Sequence, residues 1–423
     1  MSFDLAAVRS QFPALALTDD GIRRIYFDNP GGTQVPARVA EAVAECLLTT
    51  NANIGAFFRT SVAVDDLILS AREAMADFLN APSSSEIILG QNMTTITLHL
   101  SRSIGRTFSP GDEIVLSRMD HDANIGPWLQ LARDLALEVK WLPFSNETFE
   151  FDLSVLDEIL TERTRLVCVG GASNMTGTIN DVAAICAKAR KIGALTYIDG
   201  VQSAPHIPID VQELGCDFFV CSPYKFFGPH QGVLWGKREV FERLEPYKPR
   251  PLTSELPWCF ESGTQSHEGA AGILACVEYF AEIGRTMAED YMQNWSQFSG
   301  RRQQIHAALE MLFDYEKTLA NRLIDGLLEI EGVKIQGIST KDAEDRRVPT
   351  VSFTHDSVAP DDIAKALAEQ NIFVWSGDFY AVDAARTLGV QDTGGTLRVG
   401  PVHYNSVEEI DELLESLRVL LAT

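Results

Sequence analysis

Between about residues 70 and 235, short apolar runs alternate with helically periodic stretches along the chain. The runs EIIL, DEIVLS, LEVKWLP, RLVCVGG, ALTYID and DFFVCS are β-rich and bounded by polar or turn residues. Near-continuous apolar runs of this length predict strands buried on both faces, as in a mostly parallel sheet. The stretches between them, such as DVAAICAKARKIG, carry apolar residues at helical spacing. That alternation predicts an α/β domain with helices on both faces of the sheet.

The pattern changes near residue 280. Residues 280–330 are charged and helically periodic, interrupted mainly at Gly300. Beyond them VKIQG, VPTVSFT, NIFVWS and TLRVG predict four short strands with two helices between and after, a two-layer α+β unit. The last helix opens at Ser406 with Glu409 three residues on, the spacing of a capping box. Residues 244–258 form a Pro-rich loop, expected to be partly mobile.

Chemistry enters at the ends of the apolar runs. Leu195 to Ile198 stops at Asp199, and Phe218 to Cys221 stops at Ser-Pro-Tyr-Lys, with Lys225 last. Ligands of open α/β sheets bind at the carboxyl ends of strands, so Asp199 and Lys225 should converge on one crevice. A lysine amine beside a carboxylate suits pyridoxal phosphate: the lysine forms the Schiff base, and the acid keeps the pyridinium nitrogen protonated. The same pair also fits a strand-end aspartate bridged to a surface lysine. Glu86 to Ile104 predicts a strand, a polar turn with Gly90, and a helix opened by Thr94 and Thr95. Such a turn is either an anion site or an ordinary threonine N-cap.

Further segments carry a family resemblance over nearly the whole length. They are YFDNPGGTQVP, NANIGAFFRTS, SRMDHDANIGPW, SNMTGT, the Asp199–Gln202 pair, FESGT and LRVGPVHYNSVEEID. In this order they resemble class V aminotransferases among the fold-type I pyridoxal phosphate enzymes, most of all the cysteine desulfurase branch. The resemblance implies a large domain with a mostly parallel seven-stranded sheet flanked by helices, and a smaller α+β C-terminal domain. We accordingly expect a segment 1–25 packed with the small domain, a cofactor domain 26–290 and a small domain 291–423.

It also implies roles. Lys225 would hold the cofactor, His121 would lie over its ring, and Asp199 and Gln202 would meet the pyridine nitrogen and 3-oxygen. Asn174 would touch both 3-oxygen and substrate, and Arg398 would grip the substrate α-carboxylate. Met93, Thr94, Ser222 and Tyr224 complete the cofactor contacts. Thr264 would reach the phosphate of a partner subunit, making a homodimer with shared sites. For Arg398 a domain–domain salt bridge is the alternative.

The chain departs from the desulfurase pattern in the segment FVWSGDFYAVDAARTLG. There the branch carries its persulfide cysteine on a mobile loop; this chain has Tyr380, preceded by Asp378 and Phe379, and no thiol. Trp375 replaces the loop's basic residue, and Tyr224 stands where histidine usually precedes the lysine. Persulfide relay through this loop is therefore not expected, and Tyr380 is placed as a substrate contact.

Composition narrows the partners. The net charge is −24, from 35 basic and 59 acidic residues, which disfavours nucleic acid and anionic membranes. No run approaches the about 18 apolar residues that span a bilayer, and the N-terminus lacks the apolar core of a secretory signal. A cytoplasmic enzyme is the expectation. Seven scattered cysteines, without CxxC pairs or Cys/His clusters, suit buried thiols in a reducing compartment and no metal. Cys259 is the one near a functional loop. His99 and His306 fall in helical patterns, whereas His230 and His267 fall beside the expected crevice.

The expected activity is cleavage of a β-substituent from a small amino acid, desulfurase-like or C–S lyase. Transamination comes next, epimerisation third, and a non-catalytic cofactor-binding protein last.

Overall fold

The computed structural model describes residues 3–340 and 345–422; the extreme ends of the expected first and last segments, and 341–344, lie outside the described residues. Seven strands form the main sheet: β1 (Ile87–Gly90), β2 (Glu113–Ser117), β3 (Glu138–Leu142), β4 (Thr164–Gly170), β5 (Leu195–Asp199), β6 (Phe218–Cys221) and β7 (Gly232–Gly236). Their order is β1-β7-β6-β5-β4-β2-β3. All pairings are parallel except those of β7, which runs against both β1 and β6.

The apolar runs are continuous because both faces are covered. Val167, Val169, Ile198, Phe219 and Cys221 join one core; Leu166, Cys168, Tyr197, Phe218 and Val220 join another on the opposite face. Alternate residues of the same strand thus feed different cores, as the pleat requires. The chain moves outward from β2 to β3, then crosses back to β4 and onward to β5 and β6. That reversal beside β2 is a topological switch point, where a crevice opens at the strands' carboxyl ends.

Two long helices connect this unit to the rest: α1 (His267–Met287) and α2 (Gly300–Leu328). The first half of α2 buries Ile305 to Leu312 in the core shared with the main sheet. Its second half buries Leu319, Leu323 and Leu327 in the C-terminal core. One helix therefore belongs to both layers.

The C-terminal sheet has four antiparallel strands: β8 (Val333–Ile335), β9 (Val351–His355), β10 (Trp375–Gly377) and β11 (Thr396–Val399), ordered β8-β9-β11-β10. The run NIFVWS, read as one strand, is two. Ile372–Phe373 pairs in parallel with Ile25–Tyr26, and only Trp375–Gly377 enters the sheet. Ile25 and Phe27 join the C-terminal core, and Arg9 and Arg23 both reach Glu409. The capping box forms as read, with Ser406 accepting from Glu409 N–H and the Glu409 carboxylate accepting from Ser406 N–H. No described helix is long and apolar enough to cross a membrane.

Candidate active site

Five parallel strands deliver their carboxyl ends to one cavity of about 630 Å³. After β1 come Met93 and Thr94; after β2, Asp120 and His121; after β4, Asn174; at β5, Asp199 and then Gln202; after β6, Ser222, Tyr224 and Lys225. Arg398 enters from β11, and Trp375 to Tyr380 border the mouth. Of the residues expected at the site, Thr264 alone lies elsewhere. It is exposed and lines neighbouring cavities with Ser266 and Gln265.

The turn after β1 is capped differently from the expectation. The helix starts at Met93, and Asn92, not a threonine, accepts from Thr95 N–H at 2.8 Å. The leading amides of Met93 and Thr94, at the positive end of a 13-residue helix, are left for an anion.

Charge is held in this cavity under strain. Burial, and Arg398 nearby, lower the Lys225 amine to about 7, although Asp28 and Asp199 oppose the shift. The amine donates to the Pro30 carbonyl and lies 4.9 Å from the Tyr224 ring centroid. Burial raises the Asp199 carboxyl to about 7, against the hydrogen bond from Val201 N–H at 2.9 Å. His121 is pushed down to about 4 by burial and by Lys225 and Arg398. Ala123 N–H donates to His121 Nδ1 at 3.0 Å, so the neutral ring carries its proton on Nε2.

Arg398 is 4% exposed. Its Nη1 donates to the Asn174 carbonyl and its Nη2 to Asp28, both at 3.2 Å, and its guanidinium stands 4.1 Å from the Phe379 ring centroid. The ion pair expected as the alternative thus exists, with Asp28, beside the cavity that Arg398 lines. Gln202 donates to Thr350 at 2.8 Å, and Asn174 Nδ2 to the Phe379 carbonyl at 2.9 Å. Asn174 Oδ1 and Arg398 Nε are buried without a partner. Orphaned polar atoms on cavity-lining residues are what a bound polar ligand would satisfy. With an amine near neutrality, a carboxyl at a strand end and free helix amides, these residues fit a phosphorylated pyridine aldehyde.

Two acids in the cavity region were not singled out from the sequence. Asp120 is buried, held by Ser117, by Asn124 at 2.7 Å and by Gly170 N–H at 2.9 Å, and burial raises it to about 6. The available signal was its place just past the end of the β2 run, beyond Ser117. Asp28 had no such signal, because its partner Arg398 is 370 residues away. Of the other histidines, His230 lines the cavity and stacks on Tyr224 with centroids 5.0 Å apart. His267 instead bonds the Ala52 carbonyl at 3.1 Å, His99 that of Tyr247, and His306 is buried between two backbone carbonyls. Cys259 is buried in the core behind the sheet.

The segment that corresponds to the desulfurases' mobile loop is packed here through part of its length. Phe379, Ala381, Ala384 and Ala385 share a small core with Met119, Phe144 and Met175. Asp122 N–H donates to the Tyr380 carbonyl at 2.7 Å, and Arg118 pairs with Asp383.

Known proteins agree with this architecture. The family profile Aminotransferase class-V matches residues 25–308 and 305–413. The chain is 33% identical to the aminotransferase-like protein FGM3 of Gibberella zeae, over 99% of each chain. It is 32% identical to a probable cysteine desulfurase of Halalkalibacterium halodurans, over 97% of this chain and 96% of that one. Among solved structures, the cysteine desulfurase of Thermococcus onnurineus NA1 superposes with a TM-score of 0.87 at 28% identity, covering all of both chains. The cysteine desulfurase CsdA of Escherichia coli gives 0.82 at 28% identity, over 100% of this chain and 99% of the other.

Proposed function

This chain belongs to the class V aminotransferase family, and we propose that within it the protein is a lyase breaking the Cβ–S bond of cysteine or a cysteine derivative. Its cofactor is pyridoxal phosphate, which when held by Lys225 supplies an electron sink for charge developing at Cα. Everything else falls to the chain's own groups. Arg398 and Asn174 orient the substrate by its carboxylate, as guanidinium is suited to do. Lys225, with its amine near neutrality, takes the Cα proton. Asp199, buried at the end of β5, would hold the ring nitrogen, its carboxylate favouring the protonated pyridinium. His121, neutral with its proton on Nε2, would cover the ring face and could donate a hydrogen bond from Nε2–H to the departing sulfur.

The observation that carries the reading is the packed 377–381 turn. In a chain that resembles cysteine desulfurases throughout, the position expected for the sulfur-accepting cysteine holds Tyr380, and the turn has no thiol. Without a thiolate to attack sulfur, release as free thiol or sulfide is the route left to bond cleavage. Incubation with L-cysteine should yield sulfide and pyruvate, with no mass increase of one sulfur atom on the protein. A sulfur adduct mapped to Cys259 would overturn this account. Keto acid without sulfide would favour transamination, the reading suggested by the FGM3 likeness.

A homodimer belongs to the same proposal. Thr264 stands exposed outside the cavity in the single chain, and Leu48, Phe57 and Phe58 expose apolar surface on the preceding elements. We place the protein in the cytoplasm, supported by seven unpaired cysteines and the acidic surface.

A further inference from the structure

The mouth of the Lys225 cavity is bordered by two large aromatic side chains that the single chain leaves open. Trp375 is 57% exposed and Tyr380 71%. Both line the cavity. Trp375 is the direct cross-strand partner of Arg398 in the β10–β11 pair, so the two side chains stand on one face of that sheet. Tyr380 stacks on His121 with centroids 5.6 Å apart and rings inclined by 30°. The space between carboxylate grip and ring cover is therefore walled by indole and phenol.

That arrangement is built at a cost. Phe379 and Tyr380 are consecutive non-glycine residues in the left-handed region, at φ of 54° and 59°. Such residues are uncommon, and they persist where surrounding contacts impose them. Here Asp378 Oδ1 accepts from Tyr380 N–H at 3.0 Å, and the Asp378 carbonyl accepts from Ala381 N–H at 2.8 Å. Asn174 and Asp122 bind the Phe379 and Tyr380 carbonyls. The outcome is a division of labour: Phe379 turns inward beneath Arg398, and Tyr380 turns outward over the mouth.

We propose that the substrate is a cysteine whose sulfur carries a large apolar substituent, and that Trp375 and Tyr380 form the walls that hold this substituent. The inference rests on the lyase reading above. A free thiol would leave both aromatic surfaces uncovered, whereas an aryl or long alkyl group would bury them. The step balances without oxidant or reductant: RS–CH2–CH(NH3+)–COO− plus water gives RSH, pyruvate and NH4+. The Cβ–S bond breaks with its electron pair going to sulfur, which takes up a proton. The remaining three-carbon unit is hydrolysed.

The test compares S-benzyl-L-cysteine, S-methyl-L-cysteine and L-cysteine on the cofactor-loaded protein, following thiol or sulfide and pyruvate together. The benzyl compound should exceed L-cysteine by about tenfold or more in kcat/KM, the scale on which apolar pockets discriminate. Trp375→Ala and Tyr380→Ala should each lower that ratio by about tenfold, and Trp375→Phe should largely retain it. In the Lys225→Ala background, S-benzyl-L-cysteine should quench a fluorescence component that Trp375→Phe removes. A ratio near one, or a ratio indifferent to both alanine variants, overturns the inference and leaves the lyase reading standing. Turnover of L-phenylalanine to its keto acid at the rate of the benzyl compound also overturns it. Failure of all three compounds to yield pyruvate is a different result, because it removes the lyase reading itself.

Discussion

Lys225 sits where its charged form is disfavoured twice, by burial and by Arg398. An ordinary lysine at about 10.4 would be almost wholly protonated at neutral pH and unable to attack an aldehyde. With the amine lowered to about 7, the nucleophilic form is half populated at neutrality. The sign follows directly: the neutral amine predominates above that value, so cofactor loading of the empty protein should accelerate as pH rises through about 7 and level off beyond it. Asp199 titrates in the same window, so the observed midpoint belongs to the pair. Stopped-flow absorbance would check this, and a rate still climbing at pH 9 would show a solvated lysine. Lys225→Ala should abolish both the visible band and turnover. Asp199→Asn should leave cofactor bound but cost roughly 10²-fold or more in rate, the scale of a lost preorganised electrostatic group. Unchanged kinetics in that variant would make the acid structural.

Between elements, the closest demand is the crossing of α1 and α2. A Cβ on Gly284 would collide with the backbone carbonyl of Gln304, which has no flexible end to move. Gly284→Ala gains about 1 kcal/mol of helix propensity. Overpacking against backbone costs up to about 3 kcal/mol, so a net loss of stability is expected. Chemical denaturation would measure it, and a raised midpoint would mean the helices have room. Because α2 also carries Leu319 to Leu327 into the C-terminal core, the shift should loosen the placement of Arg398 as well.

For the whole molecule, assembly has a direct experiment. If each cavity borrows the 262–265 segment of a neighbour, mixing Lys225→Ala chains with chains disabled in that segment should restore partial activity after subunit exchange. The reason is combinatorial: some mixed dimers hold one intact lysine facing one intact segment. A monomer by sedimentation that still turns over would sink the idea. Two-fold pairing is also the commonest closed assembly.

Asp199, and Lys225 just beyond the next run, were legible in the amino-acid sequence because a parallel sheet, buried on both faces, is written as continuous apolar runs; His121 was placed by the family resemblance of its segment. Whatever polar residue ends such a run must stand at the strand's carboxyl edge. The capping box at Ser406 was legible for a related reason, since both of its bonds are local. Long-range pairing was not. Asp28 on Arg398, and the buried series His206–Glu316–His403–Tyr279, join residues from distant parts of the chain that no local period marks. The division of NIFVWS between two sheets, and the packing of the 377–381 turn under Arg398, were also decided only in three dimensions. Local pattern specifies which residues end each element. Which of those ends meet, and which charges are held without water, depends on burial, a property of the folded chain as a whole.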